Sequence, residues 1–153
     1  MNGDAPAFTP SKPQTQQETF YNYGSQISLR TVPVLISANG KTLKVNALYD
    51  DGSTKTYVIR EIITVFGLDG CPENVKVNLL NGTKETLDTE TVSMTLENLE
   101  GENRTEIDAL VVENVTGNLR TIIWNEHSHN WKHLNGIQFS VVGKKSKVDI
   151  LIG

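Results

Sequence analysis

From Ile27 onward the chain is built of short β-type runs separated by turn residues. "ISLRTVPVLIS" and "KTLKVNALY" are β-branched and partly alternating, and they flank Asn39 and Gly40, the strongest short signal for a two-residue hairpin turn. A hairpin therefore delivers the chain to Asp50. "KTYVI" predicts a short strand. "IREIITVFGL" predicts a single short helix, with Ile59, Ile62, Ile63 and Phe66 at helical spacing and Gly67 placed to end it.

"NVKVNLL" resumes strand character, and Asn81 with Gly82 offers a second turn. In "ETLDTETVSMTLENL", Val92, Met94 and Leu96 alternate with Thr91, Ser93, Thr95 and Glu97, the period-two pattern of a half-buried strand with its polar residues outward. Met94 thus reads as core rather than ligand. "LEGENR" makes a third turn, "TEIDALVVENV" a further strand, and "VDILIG" a fully apolar strand of the kind found inside a sheet. Residues 118–136, with both tryptophans and all three histidines, show no clean period and predict a long loop or a short helix. Closely spaced strands with Gly and Asn turns indicate an all-β sandwich or small barrel with one short helix.

The first 24 residues change this picture. They are rich in Pro, Gln, Thr and Ser, with few apolar residues to offset ordering entropy, and read as a flexible leader (1–24) before a single domain (25–153). They lack the basic start and apolar run of a secretory signal, and nowhere do 18 apolar residues run together, so no membrane association is expected. Cys71, the single cysteine, cannot form an internal disulfide, which fits a reducing compartment and an intracellular, cytoplasmic protein. Net charge is −4, and the 14 basic residues are scattered apart from "GKKSK", so no broad electropositive face for nucleic acid is expected.

Candidate chemistry centres on "ALYDDGST". On composition, "DDG" is a turn, with Asp bonding nearby backbone. Yet Asp50 directly follows the apolar run "VNALY", and Gly52, Ser53 and Thr54 follow it with amides and hydroxyls able to hold a carboxylate. Elsewhere, His127, His129 and His133 with Glu126 suggest a metal set, but positions two and six residues from the first share no helical face, and a polar surface loop is the better reading. Trp124 and Trp131 could anchor a partner, but packing of that loop against the barrel is the commoner use, and Cys71 reads as a structural or incidental thiol.

Apolar-apolar-Asp-x-Gly-Ser, followed about a hundred residues later by apolar-apolar-Gly, resembles the retropepsin class of aspartic peptidases; "ALYDDGST" and "VDILIG" are these segments. With "ISLRTVPV", "VTGN" and "WKHLNGIQF", the chain from about Ile27 to Gly153 resembles the aspartic peptidase domain of Pao/BEL-type retrotransposon polyproteins. The resemblance implies an all-β, retropepsin-like small closed barrel with a flap hairpin and one short helix. It implies an aspartic endopeptidase that processes a polyprotein, with Asp50 as the catalytic residue and a homodimer supplying the second Asp50. Asp69 and Gly70 make no second motif, since they follow the helix without a preceding strand.

In this reading Asp51, Gly52, Ser53 and Thr54 form the active-site loop, no metal or organic cofactor is needed, and the substrate is a peptide or polyprotein. The flap tip is expected at Leu80, Asn81, Gly82 and Thr83, where a plain hairpin turn is the ordinary alternative. The chain departs from the pattern at Asp51, where the family usually carries Thr or Ser; two such carboxylates facing across a dimer axis would repel unless protonated or turned away. The family pattern also continues past Gly153 into a helix, so the chain is expected to be a domain truncated at its C-terminus, a polyprotein fragment or a domesticated relic. The competing function is a catalytically inactive peptide-binding or dimerisation module.

Overall fold

The computed structural model describes residues 29–79, 81–117, 119–141 and 145–153; the proposed leader lies outside them. Strands β1 (Thr31–Ala38) and β2 (Lys41–Tyr49) form the expected hairpin, paired from Thr31 opposite Leu48 to Ala38 opposite Lys41. Asn39 (φ 48°) and Gly40 (φ 71°) both take left-handed conformations, the turn whose twist matches the flanking strands. Strand β3 (Tyr57–Ile59) leads directly into helix α1 (Arg60–Phe66).

Seven residues are too few for a helix to stand alone, and no side chain caps the N-terminus of α1. Ile63 and Phe66 hold it by burial in the core. Its end is tied down by the β1–β2 turn: Asn39 Nδ2 donates to the carbonyls of Phe66 and Gly67 (3.2 Å each), and Lys41 Nζ to that of Val65 (2.7 Å). Gly67, left-handed at φ 66°, closes the helix through its N–H to Ile63 O and Thr64 O.

Strands β4 (Cys71–Asn78), β5 (Lys84–Glu97), β6 (Arg104–Val112) and β7 (Ile150–Ile152) complete a mostly β protein with one mixed sheet in the order β1-β2-β7-β3-β6-β5-β4. β1 also pairs with β5 through residues 35–37 and 95–97, so the path of paired strands returns to its start. Two pairings are parallel, β2 with β7 and β3 with β6; hairpin signals in the sequence carry no information about such long-range contacts. The core gathers Val34, Ile36, Val45, Ala47, Met94 and Ile150 with the apolar face of α1.

Two local expectations need correction. β4 starts at Cys71 rather than at residue 74, because its outer edge pairs with no described strand and tolerates Pro72, which has no N–H to give. Glu97, expected outward on β5, is only 7% exposed. Here β5 lies between β1 and β6, and the carboxylate is satisfied by Ser37 Oγ (2.8 Å) and Arg104 Nε (3.2 Å).

Between β6 and β7 lie a one-turn helix, α2 (Trp124–His127), and two 3-10 turns, Ser128–Asn130 and Lys132–Leu134. Trp124 stacks on Phe139 at 5.3 Å and meets Trp131 edge-on at 6.1 Å, so both tryptophans pack within this segment. Among the described residues no helix is long and apolar enough to cross a membrane, and no group of three or more His, Cys, Asp and Glu is placed to hold a metal ion.

Candidate active site

β2 is buried from Val45 to Leu48, and the chain leaves the sheet immediately afterwards, which puts Asp50 half-buried at the strand end. β7 lies between β2 and β3, parallel to one and antiparallel to the other. The two motifs separated by a hundred residues are therefore neighbours. The Asp50 N–H donates to Ile152 O at 3.0 Å.

Inside the loop, Asp50 Oδ1 accepts the Gly52 N–H (3.0 Å), and Asp50 O accepts the Ser53 N–H (3.0 Å). A Cβ on Gly52 would stand 3.2 Å from Asp50 Oδ1, so glycine lets the backbone close on the carboxylate. Ser53 Oγ donates to Lys55 O (2.7 Å) and accepts the Lys55 N–H (3.3 Å), bracing the loop from below. Gly153 completes the arrangement: a Cβ there would meet Lys55 O at 2.6 Å and Ser53 O at 2.7 Å, so only glycine allows so close an approach. Among the described residues no protein group bonds Asp50 Oδ2, which leaves that oxygen for another partner.

Asp51 turns away from this arrangement. Its carboxylate is 85% exposed and pairs with Arg30 Nη1 at 2.5 Å, so its charge is balanced within its own chain. Thr54 is exposed. Of the expected flap residues, Leu80 lies outside the described residues. Asn81, Gly82 and Thr83 form an exposed turn joining β4 and β5, with Gly82 at φ 80° and Asn81 Oδ1 accepting from the Thr83 N–H (3.0 Å) and Oγ1 (2.6 Å). These bonds are local to the turn.

A groove of about 420 Å³ runs along Val32, Val34, Tyr49, Leu96, Leu99 and Arg104. It approaches the site through Tyr49, and Asp50 is not among its walls. In the second Asp-Gly pair, the Gly70 N–H donates to Glu90 Oε2 (3.1 Å), and a Cβ at Gly70 would stand 2.7 Å from the Glu90 side chain. That bond and the Arg60 guanidinium hold Glu90 below its ordinary carboxylate range, the Arg60 hydrogen bond being the larger cause.

Asn46 and Asp149 were not singled out by sequence reasoning, although each interrupts an apolar strand run. Asn46 is 1% exposed; its Nδ2 donates to Lys145 O (2.7 Å) and Lys147 O (2.8 Å), and its N–H to Asp149 Oδ2 (2.9 Å). Burial pushes the Asp149 carboxyl above its ordinary range, against the Asn46 N–H and Lys147, which pull it down.

Comparison of the chain with family models, curated proteins and solved structures gives no match. The functional reading therefore rests on the motifs and on their geometry.

Proposed function

We propose that this chain is a retropepsin-like aspartic endopeptidase that acts as a homodimer on a peptide or polyprotein, in the manner of the Pao/BEL-type retrotransposon domain it resembles. The observation that carries the reading is the meeting of the two motifs: Asp50 bonded through its N–H to Ile152, with Gly153 seated on the backbone of the loop that follows Asp50. The return of the strand pairing from β5 to β1 favours the closed barrel of that family.

In the proposed mechanism, two Asp50 carboxyls brought to about 3 Å share one proton, because two like charges at that distance cannot both ionise. The ionised member takes a proton from a water held between them as that water attacks the peptide carbonyl. The protonated member polarises the carbonyl and then donates toward the leaving nitrogen. The Gly52 amide holds Oδ1 of each carboxylate in place, leaving Oδ2 toward the water. The β4–β5 hairpin serves as the flap, adding main-chain bonds to an extended substrate and excluding water. The Arg30–Asp51 pair eases the repulsion that two facing loops would otherwise meet.

Incubation of the purified chain with a peptide library or its own parent polyprotein at about pH 4 to 7, beside Asp50→Asn, tests the proposal. Cleavage that is blocked by pepstatin and lost in Asp50→Asn is expected. Cleavage that survives the substitution, or strictly monomeric behaviour without cleavage, overturns it and favours a peptide-binding module.

A further inference from the structure

The strands that carry the two motifs share a polar interruption at the same spacing. Asn46 precedes Asp50 by four residues in "VNALYD", and Asp149 precedes Gly153 by four in "VDILIG". β2 and β7 run parallel with Ala47 opposite Ile150, Leu48 opposite Leu151 and Tyr49 opposite Ile152. Extended by one residue each way, this register sets Asn46 beside Asp149 and Asp50 beside Gly153.

The polar pair is bonded reciprocally: Asn46 N–H to Asp149 Oδ2 (2.9 Å), and Asp149 N–H to Asn46 O (3.0 Å). The Asn46 amide spends both side-chain hydrogens on the carbonyls of Lys145 and Lys147, so it grips the segment entering β7 at alternate residues. A buried amide is costly unless bonded, and sliding the segment by one residue would break these contacts. The apolar residues around them discriminate less, because β2 is buried without alternation from Val45 to Leu48 and a one-residue slip would still set apolar against apolar.

We infer that Asn46 and Asp149 are positioning residues for Asp50, a register lock that delivers Gly153 and the Ile152 carbonyl to the Asp50 loop. The consequence for cleavage rests on the peptidase reading; the effect on the loop does not. Asn46 and Asp149 act on the Asp50 loop through β7.

Amide hydrogen exchange read by NMR on the full chain tests the lock, because the Asp50 N–H bonded to Ile152 O reports the contact directly. In Asn46→Leu and Asp149→Leu, protection of the Asp50 amide is expected to fall about tenfold or more, while Val92 and Met94 amides in β5 keep theirs. Asp149→Asn keeps an acceptor for the Asn46 N–H and is expected to keep Asp50 protection within about twofold. Should the leucine variants fail to fold, Asp149→Ser, whose hydroxyl is too short to reach the Asn46 N–H, carries the same expectation. Unchanged Asp50 protection in these variants, or equal loss at Asp50, Val92 and Met94, overturns the lock. If the wild type cleaves, kcat should fall in the leucine variants with KM held. A wild type that does not cleave but shows the exchange effect overturns only the peptidase reading.

Discussion

Asn39→Asp isolates one link between the hairpin turn and the helix. Asp serves as well as Asn at the first position of such a turn, so the left-handed backbone at φ 48° is retained and the shape changes by a single atom. What changes is the sign of the bond: a donor facing the carbonyls of Phe66 and Gly67 becomes an ionised acceptor at the negative end of α1. Each lost bond is worth about 0.5–1.5 kcal/mol, with the low end apt for two bonds at 3.2 Å beside an exposed side chain. The charge at the helix end adds about 0.3–1 kcal/mol. The sum, about 1–2 kcal/mol, is expected to lower the urea midpoint by roughly 0.5–1 M for a domain of this size. Protonating the new carboxyl removes the charge term, so the deficit should shrink below about pH 4. A variant within about 0.3 kcal/mol of wild type at pH 7, or a deficit that does not depend on pH, refutes the claim that Asn39 caps this helix.

Asp149 offers a test with the opposite pH sign from a salt-bridged carboxylate. Its pKa is raised by burial, opposed by the Asn46 N–H, Lys147 and Lys145 and reinforced by Glu61, so its contribution to stability is fully present below its ordinary 3.8 and is lost as pH rises through the raised folded value. Asp149→Asn should remove that loss, so the difference in unfolding free energy between variant and wild type should grow with pH across this window; a constant difference refutes it. Arg30→Ala should cost less than about 1 kcal/mol in urea unfolding, since its pair with Asp51 is solvent-exposed on both sides, and a larger loss would show that the segment before β1 carries weight beyond this bond.

Local pattern carried much of this fold into view. Asn39 with Gly40, the Ile63 and Phe66 spacing and Gly67 each encode short-range geometry, and the structure places the turn, helix and helix end where these residues put them. Val92 and Met94 are buried as the alternation requires. Glu97 broke the pattern because its burial depends on Ser37 and Arg104, which the sequence holds apart from it. The candidate site was legible only as two separate motifs. Their adjacency arises from a parallel pairing between β2 and β7, and the polar pair that fixes the register, Asn46 with Asp149, looks in sequence like two unrelated interruptions of apolar strands.

The insertion of β7 between β2 and β3 also orders events in time. Asn46 and Asp149 are 103 residues apart, and closing a loop of that length costs about 4 kcal/mol of chain entropy before any contact repays it. The β1–β2 hairpin and α1 can form from neighbouring residues, whereas the Asp50 loop gains its brace only when residues 148–153 pair with both β2 and β3. Until β7 takes its place, Asp50 stands without the strand that shapes its loop, and whatever chemistry the loop performs waits on that closure.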